Sequence, residues 1–419
     1  MMSDQGVIWP KDDFSRVPYR VFADQSVFDR EQERIFNGPV WCYLGLEAEI
    51  AKPGDFKTTF VGNTSVVVNR AKDGSLHAFE NRCAHRGATI VREPFGNSAD
   101  HTCIYHHWCY SQQGDLLGVP FQRGLDGKGG MPKSFNKKEH GLRRLKVASY
   151  RGVVFGSFHA DVPPLEVYLG KAMLDILDTL FQKPVEVIGY MRQRMPSNWK
   201  LYWENAIDCY HAGLLHQFGT TFGLFRATQD GGSILGEQSG LSFCYSIFGS
   251  DDANVASGYE GIEAFNADMK LNDPSILEYV DEDGDGRGLI IMAIFPSVVF
   301  QRISNTLATR QIRPKRPGEF ELYWTCFGYA DEDPALRALR IKQNNLIGPA
   351  GLVSMEDGES GVLIQRAIER RRDAHSVIEM GGTGPIVDQD HLITEVSVRG
   401  FWQQYCDVMG YEPRRGDAA

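Results

Sequence analysis

The sequence predicts an α+β protein in which a small all-β unit is followed by a larger region of strands and long helices. Between residues 41 and 158, short alternating or β-branched runs (60–68 and 153–158) are separated by turn clusters such as Lys52-Pro-Gly-Asp55 and Lys72-Asp-Gly-Ser75, the pattern of a compact β unit. Beyond residue 163, helical and extended stretches follow one another without a regular βαβ rhythm, which argues against a doubly wound sheet. The chain has 419 residues, 42% of them hydrophobic, enough for two or three cores of about 150 residues each.

In order along the chain, a polar arm leads to a helix over 26–36, where Val27, Phe28, Ile35 and Phe36 recur at helical spacing. After the β unit, Pro163-Pro164 opens a helix to about residue 181, and a second helix covers 198–215. Extended segments are expected at 240–248, 289–300, 305–312 and 321–329, and helices at 334–346 and 393–408. The acidic run Asp281-Glu-Asp-Gly-Asp-Gly286 begins like a calcium-binding loop, but its twelfth position is Met292 where a bidentate Glu is needed. It reads as a solvent-exposed hairpin connection. The charged run 366–373 reads as a solvated helix face.

The net charge is −10, and no basic block exceeds Arg370-Arg371-Arg372, so no nucleic-acid partner is expected. The polar, acidic N-terminus lacks the basic start and apolar stretch of a signal peptide. No apolar run approaches the ~20 residues of a membrane span. Eight scattered cysteines do not form a secreted disulfide framework. Together these point to a cytoplasmic protein acting on small molecules, in which clustered cysteines are metal or redox candidates.

One such cluster is Cys83-Ala-His85 with Cys103-Ile-Tyr-His106. Two thiolates and two imidazoles can serve zinc. Here, however, each loop carries one ligand of each kind, which suits a Rieske [2Fe-2S] cluster with two Cys on one iron and two His on the other. His107 and Cys109 read as packing or supporting residues, His101 as a surface or strand residue, and Arg86 and Gly87 as loop formers.

A second constellation runs from Asn198 to His216. Asp208 and His211, three apart, share a helical face, and Gly213 is expected to let the chain bend and bring His216 round. Two histidines plus one carboxylate make a facial triad for mononuclear Fe(II) with positions left open. Glu356, Asp357 and Glu359 offer that carboxylate, and Asp357 is chosen. No G-x-G-x-x-G opens a helix, so NAD(P)H is expected to bind a separate protein.

With these motifs in this order, and with Trp108, Asn205 and Met355-Glu-Asp357 beside them, the chain resembles the large (α) subunits of Rieske non-haem iron ring-hydroxylating dioxygenases from about residue 15 to 410. Trp41-Cys-Tyr-Leu-Gly-Leu-Glu-Ala-Glu49, Gly129-Gly-Met-Pro132, Asn345-Leu-Ile-Gly-Pro-Ala-Gly351 and Val377-Ile-Glu-Met-Gly-Gly382 look most like the anthranilate, salicylate and terephthalate oxygenase branch. The resemblance implies an all-β Rieske domain (38–160) inserted in a helix-grip catalytic domain with an antiparallel sheet (1–37 and 161–419). It implies that Cys83, His85, Cys103 and His106 hold the cluster and that His211, His216 and Asp357 hold Fe(II). Asp208 matches the residue bridging a Rieske histidine of one subunit to an iron-ligand histidine of the next in a trimer, and Asn205 a residue near the open side of the iron.

The implied activity is that of a terminal oxygenase using O2 and electrons from a reductase, with or without a ferredoxin, and with α3 and α3β3 assemblies both open. An aromatic carboxylate in an apolar pocket needs a fixed cation, and Arg310, near Arg302, is the candidate. Terephthalate would need a second cation, whereas the start of the last helix, His391-Leu392-Ile393-Thr394, offers only a histidine. A monocarboxylate is therefore favoured, with anthranilate 1,2-dioxygenation to catechol as the leading expectation. Salicylate hydroxylation, terephthalate dioxygenation and aryl-ether demethylation are the alternatives.

Overall fold

The computed structural model describes residues 7–251 and 255–414; the first six residues of the expected arm and the last five of the catalytic region lie outside the described residues. The chain forms two compact units. One is continuous, Phe36–Leu165, and the other joins Met1–Ile35 to Glu166–Ala419.

The continuous unit is all β. Seven antiparallel strands run in the order Cys42–Leu46, Val153–Ser157, Arg144–Tyr150, Leu76–Glu80, Thr64–Arg70, Asp55–Val61 and Phe95–Asn97. A three-stranded sheet of Asp100–Thr102, Cys109–Ser111 and Leu116–Gly118 completes it. The alternating in–out burial of Asp55–Val61 is that of a sheet with one face packed and one wet. A buried cluster including Phe56, Val67, Phe79, Trp108, Tyr110 and Leu142 also contains Cys83 and Cys103, so both thiols are set into the hydrophobic core.

The other unit is built on a seven-stranded antiparallel sheet. Its strands are β1 (Val185–Met195), β2 (Gly231–Leu235), β3 (Ser242–Ile247), β4 (Arg287–Ile294), β5 (Val298–Ile303), β6 (Thr306–Arg316) and β7 (Glu319–Tyr329), in the order β1-β7-β6-β5-β4-β3-β2. Strand β1, unforeseen in the sequence, is an edge strand whose outward residues are polar, which blunts its hydrophobic signal. The apolar run 289–300 is two strands rather than one. Ser297 N–H bonds back to the Ile294 carbonyl (3.3 Å) where β4 turns into β5, and because the residues on both sides of the turn are buried, only Pro296-Ser297 interrupts the apolar run.

The helix expected over 198–215 is also divided. Helix α1 (Trp199–Ile207) ends at Asp208, which caps α2 (Cys209–Leu215) by accepting from Tyr210 N (2.8 Å) and His211 N (3.4 Å). His216 then separates α2 from α3 (Gln217–Phe222). The bends thus fall at Asp208 and His216. Gly213 serves instead for close packing, since a Cβ there would lie 3.0 Å from both Ala227 N and Tyr259 Oη. Helix α4 (Leu352–Ile368) and helix α5 (Val396–Met409) follow the sheet.

The acidic loop 281–286 is partly buried rather than a solvated hairpin turn. Asp283 pairs with Arg302, Glu282 with Arg340, and Asp285 with Arg287 (2.6 Å). Three of the four carboxylates are occupied by arginines, which lets them leave water, while exposed Asp281 accepts from Gly284 N (2.9 Å) and Gly286 N (3.1 Å).

The N-terminal helix, Gln25–Glu31 with a wider turn over Gln32–Phe36, is anchored in this second unit chiefly by a buried side chain. Buried Glu31 accepts from Lys200 Nζ (2.6 Å), Trp199 Nε1 (2.9 Å) and Tyr405 Oη (2.6 Å). Trp9 packs on Trp402 with ring centroids 5.4 Å apart. Among the described residues, no helix is long and apolar enough to cross a membrane.

Candidate metal centres and active site

Two loops of the β unit repeat one hydrogen-bond pattern. In the first, Cys83 N–H donates to Ala88 O and Gly87 N–H to Cys83 O, each at 2.9 Å; in the second, Cys103 N–H donates to Trp108 O and His107 N–H to Cys103 O, again at 2.9 Å. Gly87 (φ 75°) and His107 (φ 54°) occupy the same left-handed position. His107, read from the sequence as a packing or supporting residue, therefore acts through its backbone and leaves its side chain exposed. Left-handed geometry costs a non-glycine residue energy, so the register that aims this loop is held by its surroundings.

The pattern brings Cys83, His85, Cys103 and His106 together. The two imidazoles lie 4.6 Å apart between centroids, and the Cys103 thiol is within hydrogen-bonding reach of Cys83. The four donors suit a Rieske [2Fe-2S] cluster: His85 Nδ1 is buried without any protein partner, an expensive state unless a metal takes the lone pair. His85 stacks on Trp108 at 4.8 Å with planes 5° apart. Two supporting residues escaped the sequence reading. Tyr110 Oη lies 3.2 Å from Cys83 Sγ, and burial pushes the phenol well above its ordinary range, so the O–H persists as the donor to sulfur. Asn81 clamps the base of the first loop by accepting from Ile90 N (3.1 Å) and Val91 N (2.9 Å) and donating to Val91 O (2.7 Å). His101, read as a surface or strand residue, lies in a strand but is buried against Phe56 and Phe79 (5.4 and 5.5 Å), and burial takes its pKa down to about 4.

In the second unit, His211, His216 and Asp357 converge with one ligand atom each inside a 4.8 Å span. Asp357 Oδ1 lies 3.5 Å from His211 Nε2 and 3.2 Å from His216 Nε2. Each imidazole is oriented from behind. His211 Nδ1 donates to the Asp208 carbonyl (2.8 Å), and His216 Nδ1 donates to Glu356 Oε2 (2.7 Å). With Nδ1 engaged from behind, each Nε2 faces Asp357 and is the nitrogen left for a metal, which would take the place of the proton there, the arrangement expected of histidine ligands. Burial by itself would raise the Asp357 carboxyl, but hydrogen bonds from the two histidines hold it far below the ordinary range. Burial likewise opposes charge on His211, which Asp208 and Asp357 overcome, raising its pKa to about 10. Such a field favours a cation, and two imidazoles with one carboxylate fit Fe(II) with positions left over. Asn205 donates to Asp357 Oδ1 (3.0 Å) and lies 3.2 Å from His211 Nε2. Glu356, one of the three carboxylates considered as a ligand, supports His216 instead.

The triad opens on a cavity of about 640 Å³, counted out to its mouth. Apolar walls come from Phe225, Leu289, Ile291, Ile303, Val353 and Leu392. Two arginines also line it. Arg226 is committed, donating to Asp251 Oδ2 (3.0 Å) and to the Thr220 and Thr221 carbonyls. Arg310 is buried and lies over the Trp324 ring at 4.5 Å; its hydrogen bonds go to Gln301 Oε1 and Tyr202 Oη (3.1 Å). Among the described residues no carboxylate pairs with it. Arg302, noted beside it in the sequence, is neutralised by Asp283. His391 is exposed, while its neighbour Leu392 reaches the cavity.

The chain matches the ring hydroxylating alpha subunit (catalytic domain) family over residues 182–411 and the Rieske [2Fe-2S] domain family over residues 40–135. It is 52% identical to the anthranilate 1,2-dioxygenase large subunit of Burkholderia cepacia, covering 97% of this chain and 96% of that one. To the terephthalate 1,2-dioxygenase terminal oxygenase component subunit alpha 2 of a Comamonas species it is 47% identical (98% and 99% covered), and to the salicylate 5-hydroxylase large oxygenase component of a Ralstonia species 44% (96% of each). A naphthalene 1,2-dioxygenase from Rhodococcus, solved with indole bound, shares the fold with a TM-score of 0.77 over 94% of each chain at 24% identity. Two matching loops that gather paired cysteines and histidines, and a buried two-histidine, one-carboxylate triad on a cavity, thus occur in one chain whose relatives align along almost all of its length: the protein belongs to the Rieske non-haem iron ring-hydroxylating dioxygenases as a large (α) subunit, a terminal oxygenase component.

Proposed function

We propose that this chain hydroxylates an aromatic monocarboxylate, with anthranilate as the substrate and catechol as the product. The observation that carries the substrate class is Arg310, a buried cation on the wall of a cavity with largely apolar walls beyond the triad, without a carboxylate partner among the described residues. A guanidinium so placed recognises a carboxylate through paired N–H donors. The second cavity arginine, Arg226, is already neutralised by Asp251, which disfavours a dicarboxylate such as terephthalate. Similarity to the anthranilate enzyme supports the choice among monocarboxylates.

When bound, the cluster supplies electrons one at a time and the iron supplies open positions for O2. The protein's part is to place the ring. Arg310 holds the carboxylate, the aliphatic and aromatic walls exclude water from the ring face, and Asn205, Asp208 and Glu356 keep the ligand set oriented. Adding both oxygen atoms at the carbons bearing carboxylate and amine gives catechol with loss of CO2 and ammonia. Cys83, His85, Cys103 and His106 are proposed as the cluster ligands, and His211, His216 and Asp357 as the iron ligands. The working enzyme is proposed to be cytoplasmic and trimeric, fed by a separate reductase with or without a ferredoxin, and α3β3 if a small β subunit joins.

Asp208 is proposed to bridge the two centres between subunits. Because Asn caps a helix as well as Asp does, Asp208→Asn keeps the start of α2 and removes only the charge. Turnover is expected to fall to nearly nothing with both metal centres loaded, and wild-type turnover would exclude the bridge. The substrate is tested by product analysis with ¹⁸O2 over anthranilate, salicylate, terephthalate and methoxybenzoates. Catechol carrying two labelled atoms from anthranilate is expected, whereas a single labelled atom in the product of salicylate or a methoxybenzoate, with anthranilate untouched, would replace this reading by a monooxygenase.

A further inference from the structure

Arg310 is held without being discharged. A guanidinium has five N–H donors. Gln301 Oε1 accepts from Nε (2.7 Å) and from Nη2, and Tyr202 Oη accepts from Nη1 (3.1 Å). This leaves one N–H on each terminal nitrogen free for a ligand. Arg310 lines the cavity, whereas Gln301 and Tyr202 do not, so the occupied edges face away from it.

The orientation of Gln301 is itself fixed. Strand register pairs Gln301 with Ala308 and Val299 with Arg310, which puts Gln301 and Arg310 diagonally across β5 and β6 on one face. Gln301 Nε2 donates to Thr306 Oγ1 (2.9 Å), whose own proton goes to the Ile303 carbonyl (2.8 Å). A flipped amide would point its N–H2 at the guanidinium and its oxygen at a hydroxyl whose proton is already used. Only the observed orientation satisfies all four groups. The other two arginines of this region contrast with this one: Arg226 and Arg302 have carboxylate partners, Asp251 and Asp283.

We infer that Gln301 is a positioning residue for anionic substrate. It does for Arg310 what a glutamate would do geometrically, while its neutrality leaves the full positive charge for the ligand, and Gln rather than Glu at 301 sets selectivity for a carboxylate over a neutral aromatic. This rests on the assignment of Arg310 as the carboxylate anchor.

The test is equilibrium binding, by calorimetry, of anthranilate and salicylate and of their neutral amides to protein loaded with cluster and iron, with the visible spectrum confirming an intact cluster. Gln301→Glu is expected to weaken both carboxylates by about tenfold or more while the amides change within about twofold. Gln301→Met, which frees the arginine without discharging it, is expected to weaken the carboxylates less than Gln301→Glu does. Equal weakening of acids and amides, unchanged acid binding in Gln301→Glu, or equal losses in the two variants would overturn the inference. Arg310→Met separates the two levels: if it leaves carboxylate binding intact, the anchor itself is wrong, and if it alone weakens the acids, only the role of Gln301 fails.

Discussion

The loops of the β unit gather two cysteines and two histidines from residues 83–106, on two turns with the same hydrogen bonds, while the triad draws on residues as far apart as His211 and Asp357. The first site is local. Its geometry follows from two loops with the same hydrogen bonds and a hydrophobic core that holds both thiols, and its imidazoles are half-buried, as suits a centre that passes electrons on. The second depends on a strand–helix framework, on a backbone carbonyl behind His211 and a carboxylate behind His216, and on the Glu31 anchor at the start of α1. The difference teaches that disturbance at a distance should reach the iron site and spare the cluster.

The largest test of that contrast is Glu31→Ala. It leaves Lys200 buried without its partner, and breaking such a pair costs about 3–5 kcal/mol. Activity and iron retention should be lost at temperatures where the visible absorption of the cluster persists; simultaneous loss of both would show the two sites to be coupled. Glu204 offers a pH-dependent version. This half-buried carboxyl accepts from Trp402 Nε1 (2.6 Å), and burial, aided by Glu395 and Asp208, pushes its pKa up to about 8. The native state then keeps a proton that the unfolded chain releases from about pH 4.5 upward, so this contribution is full below pH 4.5 and drains away as pH rises towards 8. The slope is at most about 1.4 kcal/mol per pH unit. Glu204→Gln should flatten it, so that the melting temperature of the variant gains on the wild type between pH 6 and 8; parallel profiles would refute the assignment.

Smaller effects sharpen the comparison at each metal. Glu356→Ala removes the acceptor behind His216 and is expected to weaken iron binding about 10–100-fold, read by competition with a chelator, with the cluster spectrum unchanged. Tyr110→Phe removes the O–H donor to Cys83 sulfur. A bond of about 1 kcal/mol that favours the reduced, more negative cluster corresponds to about 40 mV, so the midpoint potential should fall by that order in a redox titration, with iron content unaffected.

The same contrast explains what could be read from the sequence. Cys83, His85, Cys103 and His106 stood out because residues close in sequence leave a local spacing; His211 and His216 stood out in the run 198–216, Asp357 was chosen among three neighbouring acids, and the resemblance implied the same set. Glu356 was visible only as one acid among three, since nothing linear shows which carboxylate meets a histidine 140 residues earlier. Gln301 and Thr306 look like ordinary polar strand residues until register sets them beside Arg310. The hidden turn between β4 and β5 and the polar edge strand β1 failed for a related reason: hydrophobic periodicity reports burial, and burial there did not follow the element boundaries.

The division of one unit between residues 1–35 and 166–419 has a consequence for the order of events during synthesis. The first helix has its partners at Trp199, Lys200 and Tyr405, and Arg30 and Arg34 both donate to the Met409 carbonyl (2.7 and 3.1 Å). Those contacts do not exist until almost the whole chain has left the ribosome, whereas residues 36–165 are contiguous and can close early. A finished β unit also shortens the floppy connection that the N-terminal segment must close, since loop-closure entropy grows with the length of flexible chain. The cluster unit should therefore fold while the emerging chain still lacks an iron site, and docking of the first helix becomes the last step, the one that completes the oxygenase only after its electron-carrying part is in place.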